Sequence, residues 1–332
     1  MTIHTVLLTG ATGFIGFQIL LELLESGYAV NAVIRSTNNH ITLIRHPKVR
    51  EQEDSGRLRF TTIADFSAAD AWDEALRDVD FLMHVASPLP LPTLDPEKDI
   101  FQPSVSVNNN LLSATLKAPK LKRIVLTSSI VGAMPLPPRG SGPYAADAQV
   151  TTPLPPFANV YDAYQASKIH LLNKSRELVA LHTPRFDIIG ILPGYTFGKN
   201  ERATNAKEMF SSSNGLLLML LTGRNFAGTR TTGAAHIRDV ATVHVRALEQ
   251  KIEGNRNYGV TVPMMYNKAI DIAKKHFPEA FEKGTLQPGD QPSEVVEWDA
   301  KETENLFDLK FKDFEQMIVE VVSQYLDLPA KE

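Results

Sequence analysis

The 332-residue sequence contains no cysteine. Disulfide bonds, thiolate metal sites and a cysteine nucleophile are therefore excluded, and any redox chemistry must come from a bound cofactor. An excess of basic residues is also missing, since 34 lysines and arginines face 38 aspartates and glutamates, for a net charge of −4. Nucleic-acid-binding proteins generally carry a basic excess, so we expect no nucleic-acid partner.

Long hydrophobic runs are absent as well. The densest apolar run, Leu216 to Leu221, is far shorter than the roughly 20 residues that a helix needs to cross a bilayer. The N-terminus has no basic region followed by a long apolar segment, so the sequence indicates no signal peptide. We therefore expect a soluble protein with no membrane partner, cytoplasmic by default.

Short apolar or β-branched runs alternate with longer amphipathic stretches through the first half of the chain. This alternation is typical of βαβ units that build a parallel sheet. The predicted strands are Thr5–Thr9, Ala29–Ile34, Leu58–Ile63, Phe81–Val85, Arg123–Thr127 and Phe186–Leu192. The last strand follows a long helix that begins near Tyr161. Beyond Lys199 the alternation weakens, and we expect an amphipathic segment at 206–221 and helices at 240–250 and 311–325.

A proline-rich stretch interrupts this order. Segment 134–158 holds seven of the 21 prolines in the chain. Because proline removes a backbone donor, the stretch is expected to be an irregular surface excursion that cannot continue a sheet. Loops of this length tend to be functional, so we expect substrate recognition to lie there and beyond Lys199.

A glycine-rich turn follows the first predicted strand and precedes a helix with an apolar face. Its sequence is Gly10-Ala11-Thr12-Gly13-Phe14-Ile15-Gly16. Such a turn lets backbone amides approach a pyrophosphate, and the start of the helix offers unpaired N–H groups and the positive end of its dipole. A turn that only packs a strand on a helix is the alternative, but the strand–turn–helix context favours dinucleotide binding.

These patterns predict an α/β fold with a doubly wound parallel sheet of the Rossmann type and a smaller C-terminal substrate lobe. We assign residues 1–198 to the dinucleotide-binding domain, with 235–260 returning to it. Residues 199–332 are assigned mainly to the substrate-binding lobe.

Arg35 occupies the position, about twenty residues after the glycines, that separates NAD from NADP binding. An acidic residue there binds the ribose 2′-hydroxyl, whereas a basic residue accommodates the 2′-phosphate. No Asp or Glu occurs between Glu25 and Glu51, while that interval holds three arginines and one lysine. A solvated basic helix is the alternative interpretation, but the pattern favours NADPH/NADP⁺ as the cofactor.

Tyr164 and Lys168 lie four residues apart on a predicted helix, so both side chains project from one face. A free phenol has a pKa of about 10 and a nearby ammonium favours the phenolate, so Lys168 would bring Tyr164 within reach of proton transfer near neutrality. Ser129 follows the fifth strand at the carboxyl edge of the sheet, where its hydroxyl could hold a substrate carbonyl oxygen. The adjacent Ser128 would point to the opposite face of a continuing strand and is left open as an alternative to Ser129 at this point. Tyr161 is a weaker candidate because no lysine follows it four residues later.

Together these motifs resemble the extended short-chain dehydrogenase/reductase family. The resemblance rests on the following segments, which occur in family order: Thr9–Gly16, Phe81–Pro88, Leu126–Ser129, Tyr164–Lys168, Leu192–Gly194 and Ile237–Ala241. The segment from His84 to Pro88 is most similar to the branch of dihydroflavonol reductases, cinnamoyl-CoA reductases and fungal aldehyde or ketone reductases. That branch is usually NADPH-dependent.

The resemblance implies an NADP(H)-dependent carbonyl reductase without a metal, in which Ser129, Tyr164 and Lys168 are catalytic. Hydride would pass from the nicotinamide C4 to a carbonyl carbon while Tyr164 protonates the oxygen. With the glycine loop and Arg35, it gives these candidate cofactor contacts: Gly10, Thr12, Gly13, Phe14, Ile15, Gly16, Arg35, Asp65, Val85, Ala86, Ser87, Tyr164, Lys168, Pro193 and Gly194.

Two other functions share these motifs. A nucleotide-sugar epimerase or dehydratase that retains NAD has the same fold and the same Tyr and Lys pair. A non-enzymatic NADPH-binding regulator is the other alternative, although such proteins typically lose the tyrosine or the lysine. The family often uses an additional Asn on the central helix, and the run Asn108–Asn110 does not indicate which residue would serve.

The partner is expected to be a small carbonyl substrate, an apolar aldehyde or ketone. The aromatic side chains that suggest it, Phe157, Phe197 and Phe226, are equally compatible with core packing. His84 and His236 are expected to be packed or hydrogen-bonded rather than metal ligands. The sequence leaves open whether the protein is a monomer or a homodimer.

Overall fold

The computed structural model describes residues 3–137, 140 and 142–329. Its strands are β1 Thr5–Thr9, β2 Ala29–Ile34, β3 Leu58–Thr62, β4 Phe81–His84, β5 Arg123–Thr127, β6 Tyr144–Ala145, β7 Asp187–Pro193, β8 Tyr195–Phe197, β9 Arg230–Thr231, β10 Ala234–His236, β11 Arg256–Val260, β12 Ser293–Glu294 and β13 Trp298–Asp299. Its α-helices are α1 Phe14–Glu25, α2 Thr37–Leu43, α3 Pro47–Asp54, α4 Asp73–Leu76, α5 Gln102–Thr115, α6 Val160–His182, α7 Asn214–Leu221, α8 Ile237–Arg246, α9 Lys268–His276, α10 Pro278–Glu282, α11 Lys301–Leu306 and α12 Phe314–Asp327.

The main sheet has seven strands in the order β11-β7-β5-β4-β1-β2-β3. Neighbouring strands from β3 to β7 pair in parallel. β4 and β5 are buried along their whole length. Helices cover both faces of a parallel sheet, so apolar side chains are favoured on both faces of its central strands. The order reverses between β1 and β4, so the carboxyl ends of these strands form the crevice in which open α/β sheets bind ligands.

The chain divides into two compact units. The first comprises residues 1–139, 146–192 and 241–258, and one of its cores packs helices α4 to α6 on the sheet around Leu82, Leu111 and Leu126. The second comprises residues 140–145, 193–240 and 259–332. No helix among the described residues combines the length and apolarity needed to span a bilayer.

The second unit is built around α12. This helix buries Met317, Ile318 and Val321 in a core that includes α7 and α9. It begins at Asp313, whose side chain and that of Gln316 form a reciprocal capping box, so the first turn is satisfied from within the sequence.

The predicted doubly wound α/β fold is confirmed, and the six predicted strands agree with β1 to β5 and β7 to within one residue at each end. One strand of the main sheet, β11, was not predicted. Its sequence, Arg-Asn-Tyr-Gly-Val, lacks the alternation of a half-buried strand and is placed beside β7 by tertiary packing.

The proline-rich segment differs from expectation at one point. Within 134–158 the short strand β6 pairs in parallel with β13. The pairing spans only two residues, so the segment is otherwise irregular, and residues 138, 139 and 141 lie outside the described part of the chain.

Candidate active site

The glycine loop turns sharply between β1 and α1. Gly10 has a φ of +77°, and its carbonyl accepts a hydrogen bond from the Gly13 amide at 2.8 Å. A Cβ atom on Gly16 would lie 2.1 Å from the Gly10 carbonyl oxygen, so only glycine fits there. α1 follows at once with Gly13 as its N-cap, which has no side chain to cap the first-turn amides. The first turn of α1 thus has the form of an anion-binding helix N-terminus.

The loop also touches the segment after β4. A Cβ atom on Gly10 would lie 2.8 Å from the Ala86 nitrogen. The Thr9 hydroxyl lies 3.1 Å from the amide nitrogens of both Val85 and Ala86 and 2.9 Å from Nδ1 of His84. Since the hydroxyl accepts from both amides, its own proton is donated to the imidazole. Val85 and Ala86 could therefore meet a cofactor only through their side chains or carbonyls.

His84 is the buried centre of this network. With Nδ1 accepting from Thr9, the ring proton lies on Nε2, which donates to Asn108 Oδ1 at 3.3 Å. Burial, helped by the Lys168 ammonium, lowers the pKa of His84 to about 4, and the bond to Asn108 opposes the shift. The ring is therefore neutral at pH 7 and is held by hydrogen bonds.

The three asparagines of α5 have different partners. Asn108 is buried and bonds to His84, Asn109 bonds to His170 at 3.1 Å, and Asn110 donates to the main-chain carbonyl of Ser67. Asn108 is thus the one whose side chain joins the network beside the glycine loop. The sequence alone could not identify Asn108, because three consecutive asparagines do not indicate which of them faces the site.

Arg35 and Asp65 follow β2 and β3. Arg35 is exposed, and its main-chain amide donates to Asn39 Oδ1 at 3.3 Å. Asp65 accepts bonds from the Ser67 hydroxyl at 2.6 Å and the Ser67 amide at 2.8 Å, and these bonds lower the pKa of its carboxyl. The Asp65 carboxylate thus stabilises the turn that leads to Ser67. Asp65 is also exposed to solvent. Ser87 is half-buried, with its hydroxyl 3.3 Å from the Pro88 carbonyl oxygen.

α6 brings Tyr164 and Lys168 to the end of β5. It begins after Asn159, whose side chain caps two amides of the first turn. The Lys168 Nζ atom lies 5.3 Å from the centroid of the Tyr164 ring and donates to the Thr127 carbonyl at 3.3 Å. Lys168 is only 5% exposed, and this burial lowers its pKa to about 8. Tyr164 is half-buried.

The two serines after β5 differ in burial. Ser128 is buried, and its hydroxyl donates to the Lys168 carbonyl at 3.3 Å. Ser129 is half-buried and begins a single 3₁₀ turn, Ile130–Ala133. Ser129 is therefore the more exposed of the two serines at this edge of the sheet.

Pro193 and Gly194 belong to the second unit. Gly194 donates to the Val260 carbonyl at 3.0 Å, and a Cβ atom on it would lie 2.6 Å from the Gly233 carbonyl oxygen. In the same unit, His236 accepts from the Arg238 amide at 3.2 Å and bonds through Nε2 to Glu320. His236 is thus a hydrogen-bonded histidine.

The three phenylalanines considered for substrate binding have different surroundings. Phe197 is fully buried in the core of the second unit, so packing accounts for it. Phe157 is partly buried, with its ring centroid 4.9 Å from that of Phe101. Phe226 has two guanidinium groups near its ring, those of Arg224 and Arg230, at 5.3 and 5.7 Å from the ring centroid.

Comparison with known proteins adds a family and a set of relatives. The NAD dependent epimerase/dehydratase family matches residues 6–261. Ketoreductase CTB6 of Cercospora beticola is 35% identical in an alignment that covers 98% of this chain and 96% of that protein. Gre2 from Candida albicans in complex with NADPH has a TM-score of 0.82 at 21% identity, covering 98% and 99% of the two chains. Yeast methylglyoxal/isovaleraldehyde reductase Gre2 complexed with NADPH has a TM-score of 0.81 at 22% identity, covering 97% and 98%.

Proposed function

Because the chain belongs to the NAD dependent epimerase/dehydratase family, also called the extended short-chain dehydrogenases, we propose that it is an NADPH-dependent carbonyl reductase. It would reduce an aldehyde or ketone to the alcohol, reversibly. The observation that carries this proposal is the buried Lys168 ammonium beside the Tyr164 ring at the carboxyl edge of the sheet.

Tyr164 is the proposed general acid. Its hydroxyl gives a proton to the carbonyl oxygen of the substrate, and the Lys168 ammonium stabilises the phenolate that remains. A pKa of about 8 keeps most of Lys168 charged at pH 7, which this role requires. Ser129 would donate a hydrogen bond to the same carbonyl oxygen.

The residues present fit a bound dinucleotide. Gly10 and Gly16 leave no room for a Cβ atom in the loop, and the first-turn amides of α1, which the Gly13 N-cap leaves without a side-chain cap, would bind the pyrophosphate. When bound, NADPH supplies the hydride for the reduction. Arg35 would pair with the 2′-phosphate because it is exposed at the end of β2 and lies in an interval without acidic residues. The two Gre2 structures, both complexes with NADPH, support this choice of cofactor.

The main alternative is an epimerase or dehydratase that retains NAD, since the family name covers both chemistries. The relation to ketoreductase CTB6 over almost the whole chain supports net reduction of a ketone. Arg35 favours a cofactor with a 2′-phosphate, whereas an enzyme that retains NAD has no such requirement. A small apolar aldehyde or ketone is the proposed substrate class.

The test is the oxidation of NADPH and of NADH by purified protein with a panel of aliphatic and aromatic aldehydes, ketones and diketones. We expect turnover with NADPH and its loss in the Tyr164→Phe variant. Tight cofactor binding without turnover of either nicotinamide on any carbonyl would contradict the proposal and favour the epimerase or regulator.

A further inference from the structure

Gln165 follows Tyr164 directly on α6 and is buried, with 7% of its surface exposed. Its Nε2 atom lies 2.8 Å from the Met134 carbonyl oxygen and 3.4 Å from the Pro135 carbonyl oxygen. Carbonyl oxygens only accept hydrogen bonds, so the amide nitrogen must face them. The proposed proton transfer makes no use of this side chain.

Met134 and Pro135 end the turn that begins at Ser129. The second half of that turn lies close to α6, because a Cβ atom on Gly132 would lie 2.7 Å from the Ser128 hydroxyl and 3.3 Å from the Lys168 carbonyl oxygen. The Ser128 hydroxyl in turn donates to the Lys168 carbonyl. Gln165 thus adds a side-chain hydrogen bond at the end of a turn that already packs against α6.

The Met134 carbonyl lies in a buried position. Met134 is 1% exposed, so water has little access to it, whereas Pro135 is half-buried. Neither residue belongs to a strand or helix that could satisfy the carbonyls. A buried carbonyl without a donor would favour a shift of the turn, and Ser129 would move with it.

We propose that Gln165 is a positioning residue that fixes the Ser129 turn relative to Tyr164 and anchors the first residues of the proline-rich segment 134–158. The proposal rests on the proposed reductase function for its catalytic consequence. Its structural consequence, that the end of the turn stays packed against α6, does not depend on the reductase function. The two consequences can therefore be measured separately.

Asn173 on the same helix offers a matched control. Its Nδ2 atom donates to the Val150 carbonyl at 2.8 Å and lies 3.0 Å from the Thr152 hydroxyl. It is thus a second amide that ties α6 to the same proline-rich segment, but more than one helical turn beyond Lys168. Losing it removes a comparable contact without touching the Ser129 turn.

The experiment compares Gln165→Met, which keeps the length but has no donor, with Asn173→Leu. We expect kcat to fall about 10- to 100-fold in Gln165→Met and to stay unchanged in Asn173→Leu, because catalytic geometry tolerates little displacement. KM for NADPH should change little in either variant, since Gln165 bonds to the carbonyls of Met134 and Pro135, away from the residues proposed to hold the cofactor. An unchanged kcat in Gln165→Met, or a loss confined to KM for NADPH, would overturn the proposal.

A second measurement does not depend on activity. Amide hydrogen exchange of the peptide 129–137 should become faster in Gln165→Met and stay unchanged in Asn173→Leu. If the wild type turns over no carbonyl, the reductase proposal fails while this exchange still tests Gln165. Unchanged exchange would overturn its positioning role. If Gln165→Met does not fold, Gln165→Ser leaves space for a water between the carbonyls, and the same exchange result is expected to a smaller degree.

Discussion

His84 faces Thr9 across neighbouring strands, with its Nδ1 atom 2.9 Å from the Thr9 hydroxyl. This bond joins the end of β4 to the residue that precedes the glycine loop. The hydroxyl can satisfy both amides of the next segment only while the imidazole accepts its proton. The arrangement therefore requires a neutral histidine, and burial provides it by lowering the pKa of His84 to about 4.

Acid should weaken the fold through His84. In the unfolded chain the ring takes up a proton below pH 6.5, whereas in the fold it does so only near pH 4. Its contribution to stability is therefore complete above pH 6.5 and is lost as the pH falls from 6.5 through 4, by about 3 kcal/mol in all. Urea unfolding at pH 7 and pH 4.5 should show a smaller loss in His84→Gln, whose amide can make the same two bonds. An equal loss of stability in the wild type and in His84→Gln would contradict this prediction. His182→Gln is the control, because His182 is exposed and this variant should lose as much stability as the wild type.

Turnover should decline on the alkaline side with a midpoint near pH 8. Burial lowers the pKa of Lys168 to about 8, so above that pH its ammonium no longer stabilises the Tyr164 phenolate. The measurement is kcat against pH with saturating NADPH and carbonyl. A profile that stays flat beyond pH 9 would show that the Lys168 charge is not required.

Lys168→Met should be inactive but more stable than the wild type. A charge that is 5% exposed opposes folding, and its removal outweighs the loss of one bond to the Thr127 carbonyl. We expect the free energy of unfolding at pH 7 to rise by about 2 kcal/mol. Lys174→Met removes an exposed pair with Glu177 and should change it little. A less stable Lys168→Met protein would mean that the ammonium is better solvated than its burial indicates.

The sheet could be predicted because its strands carry their own signal. The predicted bounds of β1, β2 and β5 equal the observed ones, since each is a short run dominated by apolar residues. β11 could not be predicted, because Arg256, Asn257 and Gly259 interrupt any apolar pattern. Its place in the sheet depends on the neighbouring β7. Register and edge pairing arise from tertiary contacts that a local pattern does not contain.

The site divides in the same way. Spacing alone predicts that Tyr164 and Lys168 share a face, whereas the choice of Ser129 over Ser128 depends on the resemblance to the family. Two other contacts depend on how α5 and α6 pack. They are the hydrogen bond between His84 and Asn108 and the one from Gln165 to the Met134 carbonyl, whose partners are 24 and 31 residues apart in the sequence. For the hydrogen bond between Thr9 and His84 the sequence holds one signal, because Thr9 is a polar residue at the end of a buried apolar strand.

Arg35→Gln should reduce the preference for NADPH over NADH. Loss of a charge-assisted contact to the 2′-phosphate is expected to raise KM for NADPH about 10- to 100-fold and to leave KM for NADH unchanged. Arg45→Gln is the matched control, because Arg45 is also exposed in the same basic interval. Equal effects of both variants would indicate a diffuse basic surface, and no effect of either would remove Arg35 from the cofactor site.

Tyr164→Phe separates the enzyme from a protein that only binds the dinucleotide. Removing the hydroxyl removes the proposed general acid, so kcat should fall about 100- to 10,000-fold. NADPH binding, followed by its fluorescence, should persist because the glycine loop is untouched. Tyr161→Phe is the control, since Tyr161 is 38% exposed one turn earlier on α6 and has no lysine at the fourth residue after it. A Tyr164→Phe protein with full turnover would transfer the acid role to another group, whereas loss of both binding and turnover would mean that the ring is needed to form the cofactor site.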